Sequence, residues 1–353
     1  MNAYQKKKII SKIAPVVTAT GVPNLFEGRY GGIGHILMFH RVVPDSKKKR
    51  VHNHLSLEVT PEHLERTIKF FAEKNYNFIS IDQLDERLGN EVCDNKRFVV
   101  FTFDDGFRDN LEIAYPIFKK YGVPFTVYVT TGMPNHTAVL WWYILEDMLL
   151  ERDNVHFTWK KKQYSYESKT SDQKEKAFES IQHFVHQNFS LDDHLQLLQA
   201  IFKDFQSDLT RHSSELGMNW DEIRLLNQDP LVTIGAHTVN HYNLSKLPPE
   251  ALKREILDSK IELERQLGQP IEHFAYPYGK THHASEREYN CTEDLGFKTA
   301  VSTNIGNLFA ENFHRPYSLP RININRVTDE HVLKLQTSGL IPFLVNKGKS
   351  IIR

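Results

Sequence analysis

From His35 onward, apolar runs of strand length alternate with amphipathic stretches of helical period. A chain patterned this way lays strands side by side in parallel and crosses between them with helices. "HILMFH" reads as a buried strand ending at His40. Thr60 and Pro61 open a helix, threonine as N-cap and proline at the first helical position, with Leu64, Ile68 and Phe71 on one face. "FISI", "FVVFTF" and "PFTVYVT" continue the strands, and a helix from about Asp109 to Tyr121, kinked at Pro116, separates the last two. The rhythm breaks between about Gly132 and Met218. There "LWWYILEDMLL", a polar lysine- and serine-rich stretch and two apolar-faced helical segments read as an insertion. Alternation resumes with Asn219 capping "WDEIRLLN", the strand "LVTIGAH", and a long helix that starts at Pro248-Pro249 and ends at Gly268. "HFAYPYG", "FKTAV" and "LPRININ" are the remaining strands, with a helix around Ser285 to Leu295.

This count predicts an α/β fold, a distorted (β/α) barrel of seven or eight parallel strands with a largely helical insertion. Residues 1–34 are expected as a loose N-terminal arm, 35–132 and 219–330 as the barrel, 133–218 as the insertion, and 331–353 as a C-terminal tail. Lysine plus arginine equals aspartate plus glutamate, 44 each. No net field therefore recommends nucleic acid as a partner. Cys93 and Cys291 have no cysteine neighbours and read as free thiols, with a disulfide between them left open. The basic start is followed by an apolar run that Lys12 and Pro15 interrupt, so neither an export signal nor a spanning helix is expected. The stretch from Ile9 to Phe26 has the composition of a surface-lying segment, so peripheral membrane contact stays open, and the location expected is the cytoplasm.

The chemistry concentrates where strands end. In "FVVFTFDDGF", Asp104 and Asp105 are adjacent carboxylates directly after a strand. Like charges side by side are costly unless a cation or a shared proton offsets them. "GAHTVNH" sets His237 and His241 four apart just beyond another strand, so both imidazoles face one point if the segment turns helically. With Asp105 as a third, oxygen ligand, two histidines and a carboxylate leave positions open for water and substrate, as a catalytic metal site does. Among 18 histidines an HxxxH pair alone is ordinary packing, and Asp-Asp-Gly alone is a turn. Their joint occurrence at the carboxyl ends of parallel strands is what points to a site.

"TFDDG", "HTVNH" and "FAYPYG", in this order, resemble the polysaccharide deacetylases, the carbohydrate esterases with a NodB-homology domain. The resemblance runs from about His35 to Ile324 apart from the insertion. It implies a divalent metal, zinc first with cobalt, nickel or manganese as alternatives, and removal of N-acetyl or O-acetyl groups from sugars. It implies Asp104 as catalytic base and Asp105, His237 and His241 as metal ligands. Thr238 matches the hydroxyl residue that braces the histidine loop, Tyr278 the residue whose backbone N–H faces the developing oxyanion, and Pro277 the shaper of that turn. Two departures stand out. The family often has an arginine that orients the base where this chain has Ala275, and Arg321 in "LPRI" is the candidate substitute. The late histidine that serves as general acid is missing from the final strands; His40 fits a permuted branch of the family in which an early histidine takes its place.

Trp141 and Trp142 open the insertion and read as its anchor to the barrel, with stacking on sugar rings the lesser reading. The function expected is metal-dependent removal of acetyl groups, N-acetyl first, from an acetylated carbohydrate. The alternatives are a carbohydrate-binding homologue without turnover, suggested by Ala275, and an amidohydrolase of the same fold acting on a non-sugar amide.

Overall fold

Apolar runs buried on both faces fold as parallel strands, and the computed structural model, which describes residues 3–46, 49–84, 87 and 96–349, places them as such. In chain order they are β1 (Gly34–Phe39), β2 (Arg41–Val42), β3 (Glu58–Val59), β4 (Asn77–Phe78), β5 (Phe98–Phe103), β6 (Phe125–Val129), β7 (Asn154–Trp159), β8 (Lys162–Glu167), β9 (Val232–Ala236), β10 (His273–Ala275), β11 (Thr299–Ile305) and β12 (Leu319–Asn323). Seven of them close a barrel in the order β1-β12-β11-β10-β9-β6-β5. The circle is completed by β1 and β5, which pair in register from Gly34 opposite Phe98 to Phe39 opposite Phe103. β4 is the eighth, a short strand against the start of β5 on the side that β6 takes over further along. β2 and β3 form a small parallel pair outside the barrel.

The two-residue period of these strands sorts side chains into an inner and an outer row. Ile36, Val100, Tyr128, Ala275, Val301 and Leu319 fill the lumen. Leu37, Phe101, Val127, Ile234, Phe274 and Ile322 pack outward with the helical residues Leu64, Phe118, Ile256 and Leu263. Each such large apolar side chain contributes about 1.5–3 kcal/mol on burial. Counting on by twos toward the carboxyl ends, the inner row reaches His40 after β1, Asp104 after β5, His237 after β9 and Arg321 within β12. Gly235, the inner-row residue before His237, makes room for Tyr128: a Cβ there would stand 2.5 Å from the Tyr128 ring.

The caps read from sequence are in place. Thr60 accepts from the His63 N–H, Asn219 forms a capping box with Glu222, and Gly268 ends the helix Pro249–Leu267 at φ 69°. Several expectations need correction. The segment after Asp109 is a π-turn, Asn110–Ala114, followed by an α-helix, Tyr115–Tyr121, so Pro116 sits in a first turn, where its missing N–H is harmless, and kinks nothing. The polar stretch of the insertion is a β-hairpin, β7 antiparallel to β8, turning at Lys160 and Lys161 with φ of 47° and 67°. Between them lies no glycine or asparagine of the kind that signals such a turn. The insertion's helices are Trp141–Glu151, Ser171–Gln187, His194–Phe202 and Arg211–Leu216. The expected arm and tail are also structured: helices Ala3–Ala19 and Val22–Tyr30 pack with helices Glu330–Thr337 and Leu340–Val345 around Ala14, Val332, Leu335 and Leu340. Cys93 lies outside the described residues, and Cys291 is a free thiol. No single helix among the described residues is long and apolar enough to cross a membrane.

Candidate active site

Asp104 and Asp105 part company because the backbone reverses between them. Asp105 takes φ 77° and Gly106 φ 86°, so the chain leaves the strand geometry at the second aspartate itself. Asp104 keeps the inner-row direction and meets Arg321. The guanidinium donates from Nη1 to Asp104 Oδ1 and from Nη2 to Oδ2, both at 2.7 Å, from Nη1 to Thr102 Oγ1 at 3.1 Å, and from Nε to the Ser302 carbonyl at 2.9 Å. Both partners are buried, Arg321 at 1 % exposure. Burial alone would push the Asp104 carboxyl up; the Arg321 guanidinium outweighs it and holds the group below the usual carboxylate range.

Asp105 turns the other way, toward His237 and His241. Its Oδ1 stands 3.5 Å from His237 Nε2 and 3.3 Å from His241 Nε2, and has no hydrogen-bond donor although it is buried. The His237 tautomer is set from behind, because its Nδ1 lies 2.7 Å from the Ala275 carbonyl, which can only accept. Nδ1 therefore carries a proton, and Nε2 is the nitrogen left to offer a lone pair to a cation. Burial lowers His241 to about 4 and keeps it neutral.

A divalent ion fits these residues. A buried carboxylate oxygen without a donor is an unmet demand for positive charge. Tetrahedral ligation at about 2.0–2.2 Å sets ligand atoms about 3.3–3.6 Å apart, which is the spacing from Asp105 Oδ1 to each of the two Nε2 atoms. The three ligating atoms lie within 4.8 Å of one another.

The loop that carries the histidines is not a helical turn, as the HxxxH spacing suggested. Thr238 at φ 65° and His241 at φ 56° fold it tightly. The Thr238 hydroxyl accepts from the His241 N–H at 3.1 Å, and the Thr130 hydroxyl donates to the His237 carbonyl at 3.0 Å. Glu255, from the helix Pro249–Leu267, accepts from the Val239 and Asn240 N–H groups at 3.2 and 2.9 Å and from the Asn240 side chain. Sequence reasoning missed Glu255; its signal is a carboxylate inside the apolar stripe that runs Leu252, Ile256, Leu263. Pro277 accepts from the Gly279 N–H at 2.7 Å, forming the sharp turn that puts Tyr278 at φ 61°. The Tyr278 backbone N–H has no acceptor among the described residues.

Asp104, Asp105, His237, His241 and Tyr278 line one cavity of about 700 Å³, with Arg321, Thr238 and Pro277 behind its wall. His40 enters it beside Asp104, its backbone carbonyl held by Asn110 Nδ2 at 2.9 Å, and burial lowers its pKa. Asp109, also missed in the sequence, supports this corner by accepting from the Val42 N–H at 3.0 Å and Arg41 Nε at 2.7 Å. Trp141 and Trp142 belong to the apolar core of the insertion and line the cavity as well, Trp142 with its ring 5.2 Å from His241. The insertion is further tied down by Glu146, which accepts from Arg50 Nε and the Val51 N–H at 2.8 and 2.9 Å and pairs closely with His54 Nδ1.

Residues 91–197 and 209–300 match the family model for polysaccharide deacetylase. YxkH of Bacillus subtilis (strain 168), named for the same family, is 20 % identical over 290 residues, 82 % of this chain and 71 % of that protein. Three solved structures share the fold. They are deacetylase PplD of Streptococcus pyogenes in complex with acetate (TM-score 0.56, 21 % identity, 86 % of this chain and 97 % of that one), IcaB of Ammonifex degensii (0.54, 15 %, 88 % and 98 %) and a de-N-acetylase of Aggregatibacter actinomycetemcomitans (0.55, 15 %, 85 % and 98 %). With more than half of its residues matched by the family model, and with that family's barrel, this chain belongs to the polysaccharide deacetylase family.

Proposed function

We propose that the protein hydrolyses acetyl groups, N-acetyl first, on a sugar of a polysaccharide or glycan precursor, using a divalent metal, zinc first, held by Asp105, His237 and His241. The observation that carries this reading is the buried, donor-free Asp105 oxygen facing two imidazole nitrogens, next to a second carboxylate already claimed by an arginine. A divalent ion in that position supplies Lewis-acid activation of the acetyl carbonyl and of water. Asp104 takes the proton as water attacks. Arg321 keeps it ionised and aims it, and each carboxylate oxygen retains a lone pair beyond the one that Arg321 occupies. The unclaimed Tyr278 N–H donates to the oxygen that gains charge in the tetrahedral transition state. His40, kept neutral by burial, receives on its free ring nitrogen the proton that Asp104 took from water and hands it to the departing amine nitrogen, ending neutral as it began. Arg321 takes the place of the arginine that Ala275 lacks, which weighs against a homologue that binds without turnover. Trp141 and Trp142 offer apolar walls to a sugar ring.

Asp104→Asn and His237→Ala test the assignment on an acetylated amino-sugar panel. The first is expected to lose acetate release by about 10²–10⁴-fold while zinc stoichiometry stays at the wild-type level. The second loses both. Wild-type turnover in the asparagine variant rejects Asp104 as base, and full metal content in the alanine variant rejects the ligand set.

A further inference from the structure

The two ends of the chain have a charge balance unlike the rest. Residues 1–26 and 331–353 contain eight lysines and arginines and no aspartate or glutamate, leaving 36 basic against 44 acidic residues elsewhere. The fold brings these ends together, helix Ala3–Ala19 lying along helix Glu330–Thr337 with Ser11 Oγ donating to Asp329 at 2.7 Å. Ile10, Ala14 and Val17 satisfy this packing. The same helix carries a second apolar row, Ile9, Ile13 and Val16, that faces solvent. With Leu25, Leu344 and Val345 from the neighbouring helices, these side chains are 46–80 % exposed. Half of the large apolar side chains exposed among the described residues thus fall in this four-helix cap. Lys8, Lys12, Lys347 and Lys349 are exposed among them.

Apolar rows flanked by lysines, with Glu27 neutralised by Arg97 and Glu330 the other exposed carboxylate of these helices, match the interfacial region of an anionic bilayer, apolar side chains entering the acyl boundary and ammonium groups meeting lipid phosphates. We propose that the cap formed by both chain ends is a docking surface for an anionic lipid bilayer. A second copy of this chain is disfavoured by charge, since lysines on both faces would meet one another. The inward side of the same cap, through Ile10, Val332 and Ile341, forms a wall of the catalytic cavity, so docking sets the cavity next to the lipid surface.

The full chain, zinc-loaded, is sedimented with vesicles of phosphatidylcholine alone or in equal parts with phosphatidylglycerol, and its mass is followed by sedimentation velocity. Binding to the phosphatidylglycerol vesicles is expected, with little to phosphatidylcholine. Ile13→Glu with Val16→Glu is expected to weaken binding by about tenfold or more. Its melting temperature and its hydrolysis of a soluble acetylated amino sugar should stay unchanged. Lys8→Glu with Lys12→Glu, which alters only exposed charges, is expected to weaken it as well. Failure of the wild type to bind, undiminished binding by both double variants, or a dimer that the Ile13/Val16 variant dissolves would each overturn the proposal, the last assigning the face to a second copy.

Discussion

Replacing Arg321 by methionine keeps a long side chain in the barrel lumen and removes the cation that Asp104 meets through two 2.7 Å bonds. Unit charges about 4 Å apart attract by about 4 kcal/mol at an effective dielectric of about 20. Breaking one side of a buried pair costs about 3–5 kcal/mol because the remaining charge is stranded. Here the stranded group would be Asp104, buried at 2 % exposure and left with no guanidinium to offset its desolvation. Arg321→Met is therefore expected to lose about 3–5 kcal/mol by urea unfolding at neutral pH. Asp104→Asn strands the guanidinium in turn. The double variant removes both charges, so its loss should fall short of the sum of the single losses by about 2–3 kcal/mol. Activity of Arg321→Met should drop by about a hundredfold or more, as a base loses its aim. Strict additivity in the cycle, or a loss under about 1 kcal/mol for Arg321→Met, would refute the pairing as an energetic unit. Wild-type turnover in that variant would refute its positioning role.

Two further predictions concern how the site is held. Burial alone would raise Glu146, but the His54 imidazole and the Arg50 guanidinium outweigh it and move its pKa from 4.5 to about 2. Its contribution to stability is thus complete above about 4.5 and lost as the pH falls toward 2, about 3 kcal/mol in all. Urea midpoints of the wild type should fall more steeply between about pH 5 and pH 3 than those of Glu146→Gln, and equal slopes would refute the linkage. Glu255→Ala frees the Val239 and Asn240 N–H groups. Zinc affinity, measured by competition with a chromogenic chelator, is expected to weaken about 10–100-fold, with turnover of the loaded enzyme largely kept.

The legible part of this chain was the part governed by short-range rules. Apolar runs of strand length, proline and asparagine at helix starts and Gly268 at a helix end are local, and each reads the same in the structure. Motif order placed Asp104, Asp105, His237 and His241 at strand ends, and the inner-row register carries them to one cavity. The geometry joining them was not legible, because it depends on positive φ at Asp105, Thr238 and His241, none of them glycine. Strained backbone of this kind persists only where surrounding contacts over-determine it. Those contacts come from Thr130 and Glu255, distant in sequence. The β7–β8 hairpin escaped for the opposite reason: its strands alternate plainly, but Lys160-Lys161 is no turn signal.

His40 and Arg321 lie outside the residues matched by the family model, at opposite ends of the barrel sequence, yet both stand at Asp104. Barrel closure explains how. β1 pairs with β5 on one side and β12 on the other, so the strand bearing His40 sits between the strand that ends at Asp104 and the strand that carries Arg321. Where a circle of parallel strands begins and ends in sequence does not alter which inner-row residues are neighbours in space. A base-orienting arginine and a proton donor can therefore come from either end of the chain, provided each occupies an inner position on the strand next to the base or on the one beyond it. Ala275 cannot supply a guanidinium, but its carbonyl fixes the His237 tautomer, and the orienting charge arrives from β12. In the proposed mechanism the departures from the family pattern at Ala275 and at the missing late histidine are met by Arg321 and His40, two residues that closure of one barrel brings to the same cavity corner.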